Sequence, residues 1–160
     1  MLFTKEGVSA LHAWTHERLD TVFEHVRVLT ASQFIQQTPG FGQPSVRDQL
    51  VHILAAESGW IRRLQKLTSE NWGLISSADL PALLAAKRHV ASATQTYLQT
   101  LDEVQLNKTL ETIPGDWIGP PRSPGFILLH IYTHAFHHKG QIAAMCRILG
   151  HPPPDTDLQR

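Results

Sequence analysis

The stretch from Ser123 to Pro154 constrains this chain more than any other part of it. Ser123-Pro124 is a cap followed by a first-turn proline, and Gly150 with Pro152 to Pro154 is a stop, so the residues between read as one helix, about Phe126 to Leu149. Phe126, Ile127, Leu129, Ile131, Tyr132, Phe136, Ile142, Met145, Ile148 and Leu149 make that helix apolar almost all round. A helix with no solvated face has to be enclosed by others. The same helix carries His130, His134, His137, His138 and Gln141, which at ~100° per residue share an arc of about 100°. That arc points into the bundle. Each buried imidazole brings a donor and an acceptor that must be satisfied, and a bound metal ion satisfies several at once.

Three further helices are available to enclose it. The first spans about Thr4 to Leu29, with Leu11, Leu19, Val22, Val26 and Leu29 on one stripe, and breaks at Thr38-Pro-Gly-Phe-Gly-Gln-Pro44. Ser45-Val-Arg-Asp48 is a variant capping box that opens a second helix, about Val46 to Leu67. Asp79-Leu-Pro81 starts a third, Ala-rich helix that ends near Leu101, and its Leu80, Leu83, Leu84, Val90 and Leu98 offer a face for a homodimer. From Asp102 to Pro124 the prolines and glycines predict a long ordered connection and no fifth helix, with Trp117 at a pocket mouth. The predicted fold is all-α: a single-domain up-down four-helix bundle over residues 1–160 with a long loop before the last helix.

Composition removes several function classes. Fourteen Lys and Arg balance fourteen Asp and Glu, so no net field draws nucleic acid or an anionic membrane. Cys146 is the only cysteine, which excludes an internal disulfide and a Cys-rich zinc module; the expected location is a reducing one, the cytoplasm. Met1 to Ala10 includes Lys5 and Glu6 without a continuous apolar run, and reads as neither a signal peptide nor a membrane anchor.

His134 and His138 stand one turn apart, which lets two neutral imidazoles reach a single ion. His52, in Leu50-Val-His-Ile-Leu-Ala-Ala-Glu57, is the best third ligand, although a lone histidine there would read as a core residue bonded to a carbonyl. Three histidines leave an open position, as catalytic zinc sites do. His130 and His137 are alternative ligands on the same face, and His130 and Gln141 are candidates to orient a ligand or bound water from behind. No catalytic acid or base stands out. Asp48 either caps its helix or accepts the second N–H of His52, Cys146 reads as a core residue, and Trp14, Trp60 and Trp72 read as core or interface aromatics.

His12-Ala-Trp-Thr-His16 repeats the four-residue spacing. Glu6, Glu17 and Arg18 make its helix charged, so an exposed or supporting role is expected for His12, and Glu57 is expected to face solvent. His16-Glu-Arg-Leu-Asp20 begins like a zinc-protease H-E-x-x-H motif but has Asp20 where the second histidine is required. Paired Glu-x-x-His units, which a di-iron bundle needs, are absent.

His134-Ala-Phe-His-His138-Lys-Gly-Gln141-Ile, with His130 before it and Leu149-Gly150 and Pro152-Pro-Pro-Asp-Thr-Asp157 after it, resembles the signature of the DinB/YfiT-like family of bacterial metal-binding four-helix bundles. Ser45-Val-Arg-Asp-Gln-Leu-Val-His52, with Glu57 and Trp60, is similar to that family's second-helix segment, and the resemblance runs in order from about Leu11 to Leu158. It implies His52, His134 and His138 as ligands of one divalent ion, with an open position. The family usually has Arg where this chain has Lys139, which keeps charge but loses a bidentate contact. Zinc is the default ion, with nickel or iron as alternatives. Such a centre lowers the pKa of a bound water or thiol. Thiol transferases and a thiol-dependent isomerase occur in that family, and many members are described as metal-dependent hydrolases. The resemblance therefore implies transfer of a low-molecular-weight thiol to a small electrophilic substrate, with hydrolysis or a non-catalytic, stress-related metal-binding bundle as alternatives.

Overall fold

The computed structural model describes residues 2–68, 70–74, 78–112, 119–155 and 157–158, and all regular structure among them is helical. Helix α1 is Lys5–His25 and tightens into a 3-10 turn at Val26–Val28; α2 is Ala31–Phe34, α3 Val46–Leu64, α4 Leu80–Thr100, α5 Glu103–Asn107 and α6 Pro124–Ile148, with a second 3-10 turn at Trp72–Leu74. The four long helices form the expected bundle. None of the helices among the described residues is long and apolar enough to cross a membrane.

The starts of these helices follow from their caps. Ser45, Asp79 and Ser123 each accept, through a side-chain oxygen, the backbone N–H three residues on, and Pro81 and Pro124 occupy first turns where a missing N–H costs nothing. The ends are sharper than periodicity implies. Helix α3 stops at Leu64, short of Leu67, because Lys66 turns left-handed at φ 60° and its closing bonds run from Leu67 N to Arg62 O and from Lys66 N to Arg63 O. Gly150, at φ 85°, closes α6 in the same way.

The connection after Leu101 departs from expectation. It contains α5, a short helix held by a complete capping box between Asp102 and Gln105. The expectation for Trp117 falls in residues 113–118, outside the described residues.

Helix α3 packs against α4 and α6, and α1 packs against the same two, so α1 lies diagonally across from α3. The helices form a bundle as expected, but the chain runs up, down, down, up and not in the expected up-down order. Lys5 at the start of α1 bonds Gln99 at the end of α4, so those helices are antiparallel. His25 at the end of α1 bonds His151 just beyond α6, so those two are parallel. Two apolar clusters result. One gathers Leu19, Val22, Phe23 and Val26 with Leu50, Ile53, Leu54, Leu83 and Met145; the other gathers Val8, Ile61, Tyr97, Leu98, Ile127, Leu128 and Tyr132. Between them lies a buried polar layer of His12, His16, Glu57 and Thr94.

Several side chains sit differently from their sequence-based placement. His12 and Glu57 are buried, not exposed, with His16 buried beside them: Glu57 is only 2% accessible, because the two imidazoles and the Thr94 hydroxyl surround its carboxylate. Trp14 is half exposed and not a core residue. Leu83, Val90 and Leu98, assigned to a pairing face, instead fill the chain's own core.

Gly125 in the first turn of α6 has the ring of Phe3 and the carbonyl of Leu106 so close that a Cβ would lie 2.5 and 2.9 Å from them. Gly140 in the same helix has nothing within 4 Å. Gly125→Ala should therefore lose ~1–3 kcal/mol of stability in urea denaturation, while Gly140→Ala gains ~0.5–1 kcal/mol.

Candidate metal centre

Helices α3 and α6 are antiparallel neighbours, and their facing sides bring His52 to His134 and His138. The His134 Nε2 lies 3.1 Å from His52 Nε2 and 3.1 Å from His138 Nε2. The three ring centroids are 4.4 to 4.9 Å apart. A tetrahedral ion at 2.0–2.1 Å from each nitrogen would set its ligands about 3.3 Å apart, close to what is found. All three side chains named from the sequence thus converge through the same ring atom.

The tautomer of His138 is fixed from behind. Its Nδ1–H donates to Gln49 Oε1 at 2.6 Å, which leaves Nε2 with a free lone pair directed at the other two rings. Gln49 is itself fully buried; its amide donates to Gln43 O and to Gln141 Oε1, each at 2.7 Å. Gln141 in turn donates to His137 Nε2 at 2.8 Å. At most one proton can sit between His134 Nε2 and its two neighbours, so protons alone leave a lone pair facing a lone pair. A cation resolves that conflict, and the residues fit one.

Burial lowers the pKa of His52. Burial also pushes His134 down to about 4, helped by the positive charge that His138, His52, His130 and His137 would carry. His138 is likewise held at about 4, by burial and then by His52 and His137. All three rings are therefore neutral at pH 7, the form that binds a metal ion.

Other sequence candidates take defined places. His130 is half-buried, its ring 5.9 Å from that of His134 and edge-on to Trp60 at 6.1 Å, so it flanks the trio. His137 is exposed and ends the glutamine chain. Gln141 reaches His138 through Gln49, which the sequence reading missed. An amide between the buried Val46 and Leu50 was the available signal, since a core amide needs partners. Asp48 does not serve His52: its carboxylate takes a 3.4 Å contact from Arg47, and its backbone N–H is the one Ser45 caps. Cys146 is fully buried in the apolar core, which pushes its thiol up to about 11. Lys139 is buried with its Nζ 3.6 Å from the Phe136 ring centroid; desolvation, aided by Arg18, lowers it to about 8 against the pull of Asp157 and Asp155.

No fourth His, Cys, Asp or Glu among the described residues joins the trio. His52 and His134 are only partly buried, so one side of the group opens towards solvent. The fold and this site define a helical bundle with a candidate three-histidine metal centre. Residues 3–160, nearly the whole chain, match the DinB family, and the chain belongs to that family. None of the curated proteins matches it.

In metal-stripped protein, His134 and His138 protonate near pH 4 when folded, whereas the unfolded chain protonates them near pH 6.5. The unfolded state binds more protons in between, so stability should fall as pH drops from about 6.5 to about 4 and this contribution should then level off. Urea midpoints across that range should show the fall, and His134→Gln with His138→Gln should flatten it. Gln49→Leu should weaken zinc binding by ~10–100-fold in a chelator competition while leaving the helical circular-dichroism signal intact.

Proposed function

We propose that this DinB-family chain is a metal-dependent enzyme that activates a low-molecular-weight thiol for transfer to a small electrophilic substrate. The observation that carries the reading is the convergence of His52, His134 and His138 on one point with no fourth protein ligand among the described residues. Structural zinc sites fill their four positions with protein ligands, whereas catalytic ones keep a position open. Zinc is the expected ion, with nickel or iron as alternatives for an all-imidazole site. When bound, the ion supplies Lewis acidity, which lowers the pKa of a thiol or water held at the open position.

The choice of thiol over water rests on what surrounds the trio. Among the described residues no carboxylate joins the three histidines to take a proton from water. A thiol ionises at about 8.5 unaided and needs far less help than water. His52, His134 and His138 bind through Nε2, Gln49 holds the ring of His138 in place, and the open side between His52 and His134 admits substrate. A cytoplasmic setting, reducing enough to keep such a thiol available, fits a chain whose one cysteine is buried and unpaired. His130, whose ring is 5.9 Å from that of His134, is placed to accept a proton in a hydrolytic alternative.

Metal content of tag-free protein should drop by one ion per chain in His52→Ala, His134→Ala and His138→Ala and be unchanged in His130→Ala. With the ion bound, consumption of a small thiol in the presence of an alkyl or aryl halide should exceed that of the His134→Ala protein by at least ~100-fold. Ester or amide hydrolysis without thiol consumption would establish the alternative. Full retention of the ion with neither activity would establish a non-catalytic bundle.

A further inference from the structure

We propose that the polar layer between the two apolar clusters is a second divalent-cation site of zinc type, with His12 and His16 of α1 and Glu57 of α3 as its protein ligands. The arrangement repeats that of the trio on α3 and α6. Each has two histidines one turn apart on one helix and a third ligand from α3, His52 in one case and Glu57 in the other. The five-residue step between His52 and Glu57 turns them about 140° apart on α3, so the two groups face different neighbours.

The distances match a tetrahedral ion. His16 Nε2 is 3.1 Å and His12 Nε2 3.5 Å from the same oxygen, Glu57 Oε1, bracketing the ~3.3 Å edge expected for zinc with nitrogen and oxygen ligands. The centroids of the two rings are 4.5 Å apart, within the range seen for the trio. Thr94 donates to Glu57 Oε1 at 2.6 Å, which holds the carboxylate in place and leaves that oxygen a lone pair for a cation.

Three buried atoms of the layer lack a hydrogen-bond partner, His12 Nε2, His16 Nδ1 and the Tyr132 hydroxyl, and the first and third point to something further in it. His12 Nε2 has no hydrogen-bond partner although His12 is only 6% accessible, and neither does the hydroxyl of Tyr132, whose ring lies 6.2 Å from that of His12. Buried polar atoms in native structures are nearly always satisfied. An ion bound by His12 Nε2, with the ring proton carried on Nδ1, removes the first vacancy. An ion-held water would give the Tyr132 hydroxyl a partner. A cleft of about 330 Å³ between α1 and α4, lined by Ser9, His12, Ala13, His16, Ala91 and Gln95 among others, gives an ion and its water a way in.

The test is a zinc titration of metal-stripped, full-length protein, with bound zinc counted after equilibrium dialysis and folding followed by circular dichroism. Two ions in the parent, one in His134→Ala/His138→Ala and none once His16→Gln is added would support the site. Glu57→Gln, close in shape to the native residue, should also lose one ion and serves if His16→Gln fails to fold. One ion in the parent that disappears in His134→Ala/His138→Ala overturns the second site and leaves the trio standing. One ion that survives that pair of substitutions and is lost with His16→Gln supports the second site and removes the basis of the proposed enzyme. No bound zinc in the parent overturns both.

Discussion

A buried imidazole must find partners for two ring nitrogens of opposite character, and that requirement organises this bundle. Helix α6 is apolar round most of its surface, yet it is not enclosed as its sequence implies: Thr133, His137, Gly140 and Arg147 face solvent, while His138 is buried and His134 half-buried against α3. His138 meets the requirement on one side through Gln49. On the other side its Nε2 faces His134 Nε2, which also faces His52 Nε2, and one proton cannot serve both contacts, which makes a cation the fitting partner. The layer around Glu57 shows the same demand answered differently. There a carboxylate stands among two imidazoles and a hydroxyl. Burial on its own would raise the Glu57 carboxyl, but His12, His16 and Thr94 outweigh it and hold the group well below its usual range.

The two polar groups are bound to the packing around them. Removing one member of a buried charge pair costs on the order of 3–5 kcal/mol, because the partner is left uncompensated. Glu57 makes contacts to α1 and α4 at once, so it couples helices that lie on different sides of α3. The layer also interrupts what would otherwise be one continuous apolar core. Buried polar groups that must meet specific partners fix helix register in a way that interchangeable leucines do not.

Local chemistry made much of this legible from the residues alone. Caps at Ser45, Asp79 and Ser123 are written in the sequence beside the helices they start, and the His134/His138 spacing identifies a face of α6 whatever surrounds it. The capping box at Asp102 and Gln105 was equally readable, but five residues are too few for any periodicity, and the prolines and glycines nearby outweighed it. His12, His16 and Glu57 were not legible, for a different reason. Each is polar, on helices with other charged residues, and reads as solvated until its partner is known. The partner of His16 lies 41 residues away, and a sequence shows each charge but not the pairing that permits its burial. Gln49 failed for the same cause: its meaning comes from His138, 89 residues on.

The up, down, down, up path has a kinetic consequence. Helices α3 and α4 point the same way, so the residues between them must travel back along the bundle before α4 can begin. The two helices that flank α1, α4 and α6, lie far along the chain: Lys5 meets Gln99 across 94 residues, and His25 meets His151 across 126. Loop closure over such spans has to precede the contacts that reward it. Folding should accordingly be slower than in a helical bundle of the same size built from successive hairpins, with α1 unable to dock before most of the chain has been synthesised.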